Sequence, residues 1–205
     1  MQVSAPTVRD SLAAEALYLA LLLATLLPDP ETLGLAALLS LSIARTPARM
    51  VDGMLVPLES QDTRLWDSTL IAQGERLLRQ ARALGPVGRF QLEAAIQSVH
   101  CARATTGVTD WDALRTLYVA LIALAPTLGA QVSLAAVVAH TDGPLAGLAH
   151  LDALGEPAFQ PWWAVRAHLL AEAGRVDDAA GAYAKAISLA TDPRLRAHLG
   201  ETSIP

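Results

Sequence analysis

Apolar residues recur along this chain at helical spacing, in blocks parted by Gly, Pro and Asp. That spacing puts one face of a helix into a core, and the punctuating residues end it. Residues 8–27 are apolar nearly all round, which predicts a helix buried on several sides, with Thr7 placed to cap it. Asp29-Pro30-Glu31 starts a second helix to about Arg45, since proline suits a first helical position. Two apolar runs joined by Pro28-Asp29-Pro30 read as a buried helical hairpin. Residues 47–61 carry no helical pattern. There Met50-Val51-Asp52-Gly53-Met54-Leu55-Val56 reads as a short hairpin or as an ordered loop with an Asp-Gly turn. Asp62 opens a third helix to Leu84, with Trp66, Leu70, Leu77, Ala81 and Leu84 on one stripe. Gly85-Pro86-Val87-Gly88 breaks it. A fourth helix covers 90–105, with Leu92, Ile96 and Val99 on one face. Thr109-Asp110 caps a fifth, to Ala125. Five more are predicted at about 129–140, 144–154, 160–173, 176–190 and 193–199, making about ten helices and no β domain.

Residues 163–193 are similar to a tetratricopeptide repeat. Trp163 sits at the aromatic position of the first helix, and Ala167 where the two helices touch. Gly174 makes the turn, where positive φ is cheap. Ala179, Tyr183, Ala186 and Leu189 follow at the spacing of the second helix. A weaker copy lies upstream, with Tyr118 and Pro126 at the expected eight-residue spacing and Leu114 and Leu121 at positions usually held by alanine. Gln131 to Leu154 is a further pair, turning at Asp142-Gly143-Pro144. One repeat cannot bury its own apolar face, so at least three pairs should stack. The expected fold is all-α, with antiparallel helix pairs stacked as a tetratricopeptide-like superhelix. One domain over 1–205 is expected, with an N-terminal hairpin at 1–46, a loop at 47–61 and a helix array at 62–205.

Composition narrows the function. Of the 205 residues 53% are hydrophobic, mostly Ala and Leu, which excludes a disordered chain and favours helix. The net charge is −5, and Lys185 is the only lysine. Nucleic-acid binding needs clustered basic residues, so no direct nucleic-acid contact is expected. The longest apolar run, Leu17 to Leu27, is too short to span a bilayer, and no membrane role is expected. The single cysteine, Cys101, forbids an internal disulfide and fits a reducing cytoplasm.

Candidate chemistry is sparse. His100 and Cys101 are adjacent, so in a helix they point about 100° apart and form no direct dyad. Cys101 reads as a small buried residue. His100, His140, His150, His168 and His198 show no metal-ligand spacing. Asp177-Asp178 opens a helix and suits its positive end. No glycine-rich phosphate loop follows a strand. No catalytic residue, metal or cofactor is expected.

Two places invite an interaction reading. Gln61, Asp62, Arg64, Trp66 and Asp67 form a polar cluster around an indole, with Arg64 and Asp67 spaced to pair on a helix. It reads as a helix start locked by an ion pair, or as a polar interdomain contact. At Trp162-Trp163 the second indole belongs to the repeat core. Trp162 faces elsewhere, and reads as a packed residue or as an exposed anchor for a partner.

Taken together, the segments resemble the C-terminal extension of a group of extracytoplasmic-function RNA polymerase sigma factors that carry tetratricopeptide-like repeats. The matching stretches include Leu-Leu-Pro-Asp-Pro-Glu (26–31), Gly-Leu-Ala-Ala-Leu (34–38) and Pro-Leu-Glu-Ser-Gln-Asp-Thr-Arg-Leu-Trp-Asp (57–67). Phe-Gln-Leu-Glu-Ala-Ala-Ile-Gln-Ser-Val-His (90–100), Thr-Asp-Trp (109–111), Gly-Pro-Leu-Ala-Gly-Leu (143–148) and Gly-Arg-Val-Asp-Asp-Ala (174–179) follow in the family's order. The chain departs from the pattern at Tyr18, Ser42 and Ser133-Leu134. The resemblance implies a regulatory, protein-interaction domain in transcription initiation, its partners the sigma core domains, RNA polymerase through the full-length protein, and a protein regulator. The two sigma domains themselves are not in this sequence, so it reads as a fragment or a stand-alone relative. A stand-alone adaptor binding a protein or peptide, or a small-molecule-sensing helical domain, are the alternatives.

Overall fold

A computed structural model describes residues 8–51 and 53–202 of the chain. The predicted cap Thr7 and the turn residue Asp52 lie outside them. The chain is all-α, with ten α-helices and one two-stranded ribbon among the described residues. It divides into two compact units.

The first unit takes Met1–Ala48 and Asp62–Thr109. It holds α1 (Val8–Leu26), α2 (Pro30–Ala44), α3 (Ser68–Leu84) and α4 (Arg89–Thr106). The Pro28-Asp29-Pro30 stop works as its residues dictate. Asp29 accepts the N–H groups of Glu31 (2.8 Å) and Thr32 (3.1 Å), and Thr32 Oγ1 accepts the N–H of Asp29 (3.2 Å), a reciprocal cap. Helix α2 packs on α1, α3 and α4 alike, so its all-round apolar surface is used. Small residues make this possible. A Cβ on Gly34 would stand 2.8 Å from the backbone nitrogen of Gln91, and one on Gly74 2.5 Å from Leu41 Cγ. The core joins Ala20, Ala24, Ala36, Ala37, Leu41 and Ala81 to Ala94 and Cys101.

Helix α1 departs from expectation. It packs on α2 through Ala20 and Ala24 and exposes Leu12, Leu19, Leu22, Leu23 and Leu26. The burial on several sides predicted for this helix is not found: α2 is the described helix that packs against it.

The second unit takes Arg49–Gln61 and Asp110–Pro205. Its ribbon pairs β1 (Met50–Val51) with β2 (Met54–Leu55), Met50 opposite Leu55, which realises the hairpin reading. Then come α5 (Trp111–Leu124), α6 (Leu128–Asp142), α7 (Pro144–Asp152), α8 (Gln160–Glu172), α9 (Val176–Leu189) and α10 (Pro193–Thr202). Asp110 caps α5 by accepting the N–H of Ala113 (2.9 Å). Helix α5 packs on α6, α6 on α7 and α8 on α9, while α8 also touches both α6 and α7. Successive helix pairs of a repeat array stack in this way.

The α8–α9 pair follows the repeat pattern closely. Gly174 turns at φ 75°, and Ala167, Ala179, Tyr183 and Ala186 are buried between the helices. The aromatic position differs by one residue. Trp162 is fully buried and Trp163 only partly so.

Candidate functional site

The polar cluster that opens the third predicted helix is built differently from its sequence reading. Residues Thr63–Leu65 form one 3-10 turn, and the α-helix starts only at Ser68. Asp67 caps that helix by accepting the N–H groups of Thr69 (2.8 Å) and Leu70 (3.0 Å). Its own N–H donates to the carbonyl of Ala44 at 2.9 Å, which ties the start of α3 to the end of α2.

Arg64 pairs with Asp62, not with Asp67 as the helical spacing predicts. Its Nε donates to both Asp62 oxygens (2.9 and 3.1 Å) and its Nη2 to Oδ2 (2.7 Å). The reason is local: positions 62–65 are not α-helical, so the three-residue rule does not apply. Asp62 also accepts the backbone N–H of Arg64 at 3.0 Å. Side-chain hydrogen bonding from Arg64 holds the Asp62 carboxyl down at about 2. The pair stands in solvent, with the Arg64 side chain 87% exposed. An exposed pair of this kind adds little stability, and it is open to a partner.

Trp66 is in the core, as one sequence reading has it. It is 6% exposed, and the guanidinium of Arg103 lies 5.1 Å from its ring centroid. Its indole Nε1 has no hydrogen-bond partner among the described residues. Gln61 belongs to the second unit, where its Nε2 donates to the carbonyl of Val56 at 3.1 Å and closes the end of the hairpin segment. The five candidate residues therefore do not form one patch of side chains within either unit.

Trp162 is not an exposed anchor. It is fully buried, its Nε1 donates to the carbonyl of Leu151 (3.3 Å), and Arg166 lies over its ring at 5.1 Å. Trp163 packs edge-on against it with centroids 4.8 Å apart and donates to the carbonyl of Pro157 (2.9 Å). Neighbouring helical residues point about 100° apart, so Trp162 fills the core while Trp163 packs at its margin. The structure puts Trp162 there because it faces α7.

One constellation escapes the sequence reading. The ring of His140, at the end of α6, stacks on Trp111 at the start of α5, with centroids 3.7 Å apart and planes at 21°. Its Nε2 lies 3.1 Å from Oε1 of Glu59. Glu59 lies in the hairpin segment, 81 residues from His140, so no local spacing signals the contact. The trio ties Glu59 of that segment to α5 and α6.

Elsewhere the chemistry is quiet. Burial pushes the Cys101 thiol up to about 11, and its Sγ lies 3.7 Å from the carbonyl of Leu41. That is a structural thiol and a poor nucleophile. Among the described residues no three His, Cys, Asp or Glu side chains cluster to hold a metal. None of the described helices is long and apolar enough to cross a membrane.

Residues 1–82 match the model of a family of unknown function, DUF6596. Over 196 residues the chain is 35% identical to an uncharacterized protein of Rhizobium meliloti (strain 1021), a match that covers 94% of this chain and 46% of that protein. The chain thus spans about half the length of this curated relative. No solved structure matches it.

Proposed function

We propose that this chain is the regulatory, protein-interaction part of an extracytoplasmic-function sigma factor. The observation that carries the reading is the ordered series of motifs from Leu26 to Ala179, which resembles the extension of such factors across nearly the full length. A relative matched over most of this chain is about twice as long, which leaves room for the sigma domains beside it. Stacked helix pairs support an arm that holds other proteins, since their surfaces offer extended binding faces. A net charge of −5 without a basic patch speaks for protein partners over nucleic acid.

The partners on this reading are the sigma core domains, RNA polymerase through the full-length protein, and a protein regulator, all in the cytoplasm. No catalysis and no cofactor are involved. The arm acts by binding one state of the factor better than another, because only differential affinity shifts such an equilibrium. Asp62 and Arg64 are the polar contacts proposed for this role.

The test is a promoter-reporter assay with the full-length factor. Deleting residues 1–205 of this chain is expected to change promoter output or its control. Output and control equal to the intact factor would refute the reading. A finer arm of the experiment exchanges Asp62 and Arg64 for alanine, which should alter output while leaving the unfolding midpoint close to that of the intact factor. Should the coding sequence hold no helix-turn-helix region beside this part, the stand-alone adaptor takes its place.

A further inference from the structure

The ribbon of the second unit has strands of two residues each. A two-stranded ribbon this short does not hold its shape in water by itself, so its order comes from what it lies against. Within the unit, β2 rests on α10. Four residues past Leu55, the Glu59 carboxylate meets Nε2 of His140, at the end of α6, at 3.1 Å. An ionised carboxylate only accepts, so Nε2 carries the proton. The stack on Trp111 fixes the plane of the ring. The segment Arg49–Gln61 is thus held at two places, one on α6 and one on α10, helices that α7, α8 and α9 separate along the chain.

Helices α6, α8 and α10 are alternate members of the array, and α8 touches α6 directly. Alternate helices of stacked pairs line one side, and that side is the extended surface on which such arrays hold another chain. A segment anchored on α6 and α10 runs along it. The segment is seated lightly. Val51 and Met54 are half-exposed. The side chains of Glu59 and His140 are 61% and 43% exposed, and a pair so open to water holds weakly. Two weak, separate anchors suit an occupant that gives way. The seat also has a chemical preference. His140 presents a proton to a carboxylate, and α10 carries Arg194, Arg196 and His198 against one acid, Glu201.

We propose that Arg49–Gln61 is an internal guest of the second unit, and that an acidic, extended segment of a partner protein takes its seat. The segment that fits has an apolar pair where Met54-Leu55 lies on α10, and a carboxylate four residues on where Glu59 meets His140. This rests on the reading of the chain as a protein-interaction part, and gives that reading a site and a partner chemistry. The guest is tethered, so it competes as if present at roughly 1 mM. A partner segment enters when it binds more tightly than that, or when the guest is loosened.

The probe is a fluorescein-labelled peptide with the sequence of residues 49–61, read by anisotropy against the full 205-residue chain. The intact chain should take up little peptide, because its own segment fills the seat. Glu59→Lys in the chain loosens the guest and leaves the seat whole, and should tighten peptide binding about tenfold or more. Adding His140→Ala to that variant, or placing Glu59→Lys in the peptide, should remove the gain. Amide exchange gives a second reading. The N–H of Val56, donated to the carbonyl of Arg49 at 2.9 Å, should exchange several-fold faster in Glu59→Lys. The amides of α8 and α9 should keep their rates, which reports that the unit is still folded. Equal peptide binding by parent and variant, or an unchanged rate at Val56, overturns the proposal. No promoter enters these measurements, so the seat and the sigma-factor reading can fail separately.

Discussion

The carboxylate of Glu31 accepts the backbone N–H of Phe90 at 2.9 Å, so the first turn of α2 caps the N-terminus of α4 across 59 residues. The other carboxylate oxygen accepts the N–H of Gln91 at 3.3 Å. The preceding Gly88 offers no side-chain cap, and a Cβ there would stand 2.3 Å from the Glu31 carboxyl carbon. An acidic group at this end also suits the helix dipole.

Removing this cap leaves two donors at the start of α4. Glu31→Ala is expected to cost about 1–2 kcal/mol, measured as a shift of the urea midpoint at constant slope. Glu31→Gln keeps an acceptor and should cost less. Equal losses in the two variants would mean that the charge matters and the hydrogen bonds do not.

Two glycines in helices should respond with opposite signs to the same change. Gly74→Ala places a methyl group 2.5 Å from Leu41 Cγ and 3.1 Å from the carbonyl of Ala37. The overpacking should outweigh the gain in helix propensity, for a net loss of about 1–2 kcal/mol. Gly181→Ala in α9 meets nothing within 4 Å, and should stabilise by about 0.5–1 kcal/mol. Thermal unfolding of the two variants side by side checks both.

Trp162 separates a core residue from a docking anchor. Trp162→Ala should cost about 3–5 kcal/mol, since a fully buried indole is removed and the carbonyl of Leu151 loses its donor. Trp163→Ala, at a partly buried position, should cost less. Denaturant unfolding followed by far-ultraviolet circular dichroism gives the order, and a Trp162→Ala protein as stable as the parent would contradict its placement.

Asp62 carries a pH signature. Its carboxyl is held at about 2 in the folded chain, against an ordinary value of 3.8. A carboxylate with a depressed value stabilises the fold above 3.8, and that contribution fades as pH falls through about 2. Carbon-detected magnetic resonance of the carboxyl should show the low midpoint, and Arg64→Ala should move it up toward 3.8. Because the pair is exposed, raised salt should move it in the same direction.

Helix positions, their stops and several caps were legible in the residue order, because these are set within a few positions of the chain. Asp29, Asp110 and Gly174 act where local chemistry places them. Neighbours at a helix start were harder: Asp67 caps α3 and Arg64 turns back to Asp62, since the chain between them is a 3-10 turn whose geometry no spacing rule announces. Around Asp62 the residue order shows a polar cluster but not which partners its members take.

By itself the sequence determined an all-α chain, the extent of its helices and the small residues that let them approach. Tertiary structure decided which sides face inward. Periodicity marks an apolar face and does not say whether another helix will cover it, so α1 and α2 look alike until α2 proves to be the helix with neighbours on several sides. Nor does it choose between adjacent indoles, and Trp162 enters the core because α7 lies on its side. The stack of His140 on Trp111, held by Glu59, exists only once distant segments meet. Local backbone preferences act over a few residues, whereas burial depends on what the rest of the chain brings alongside.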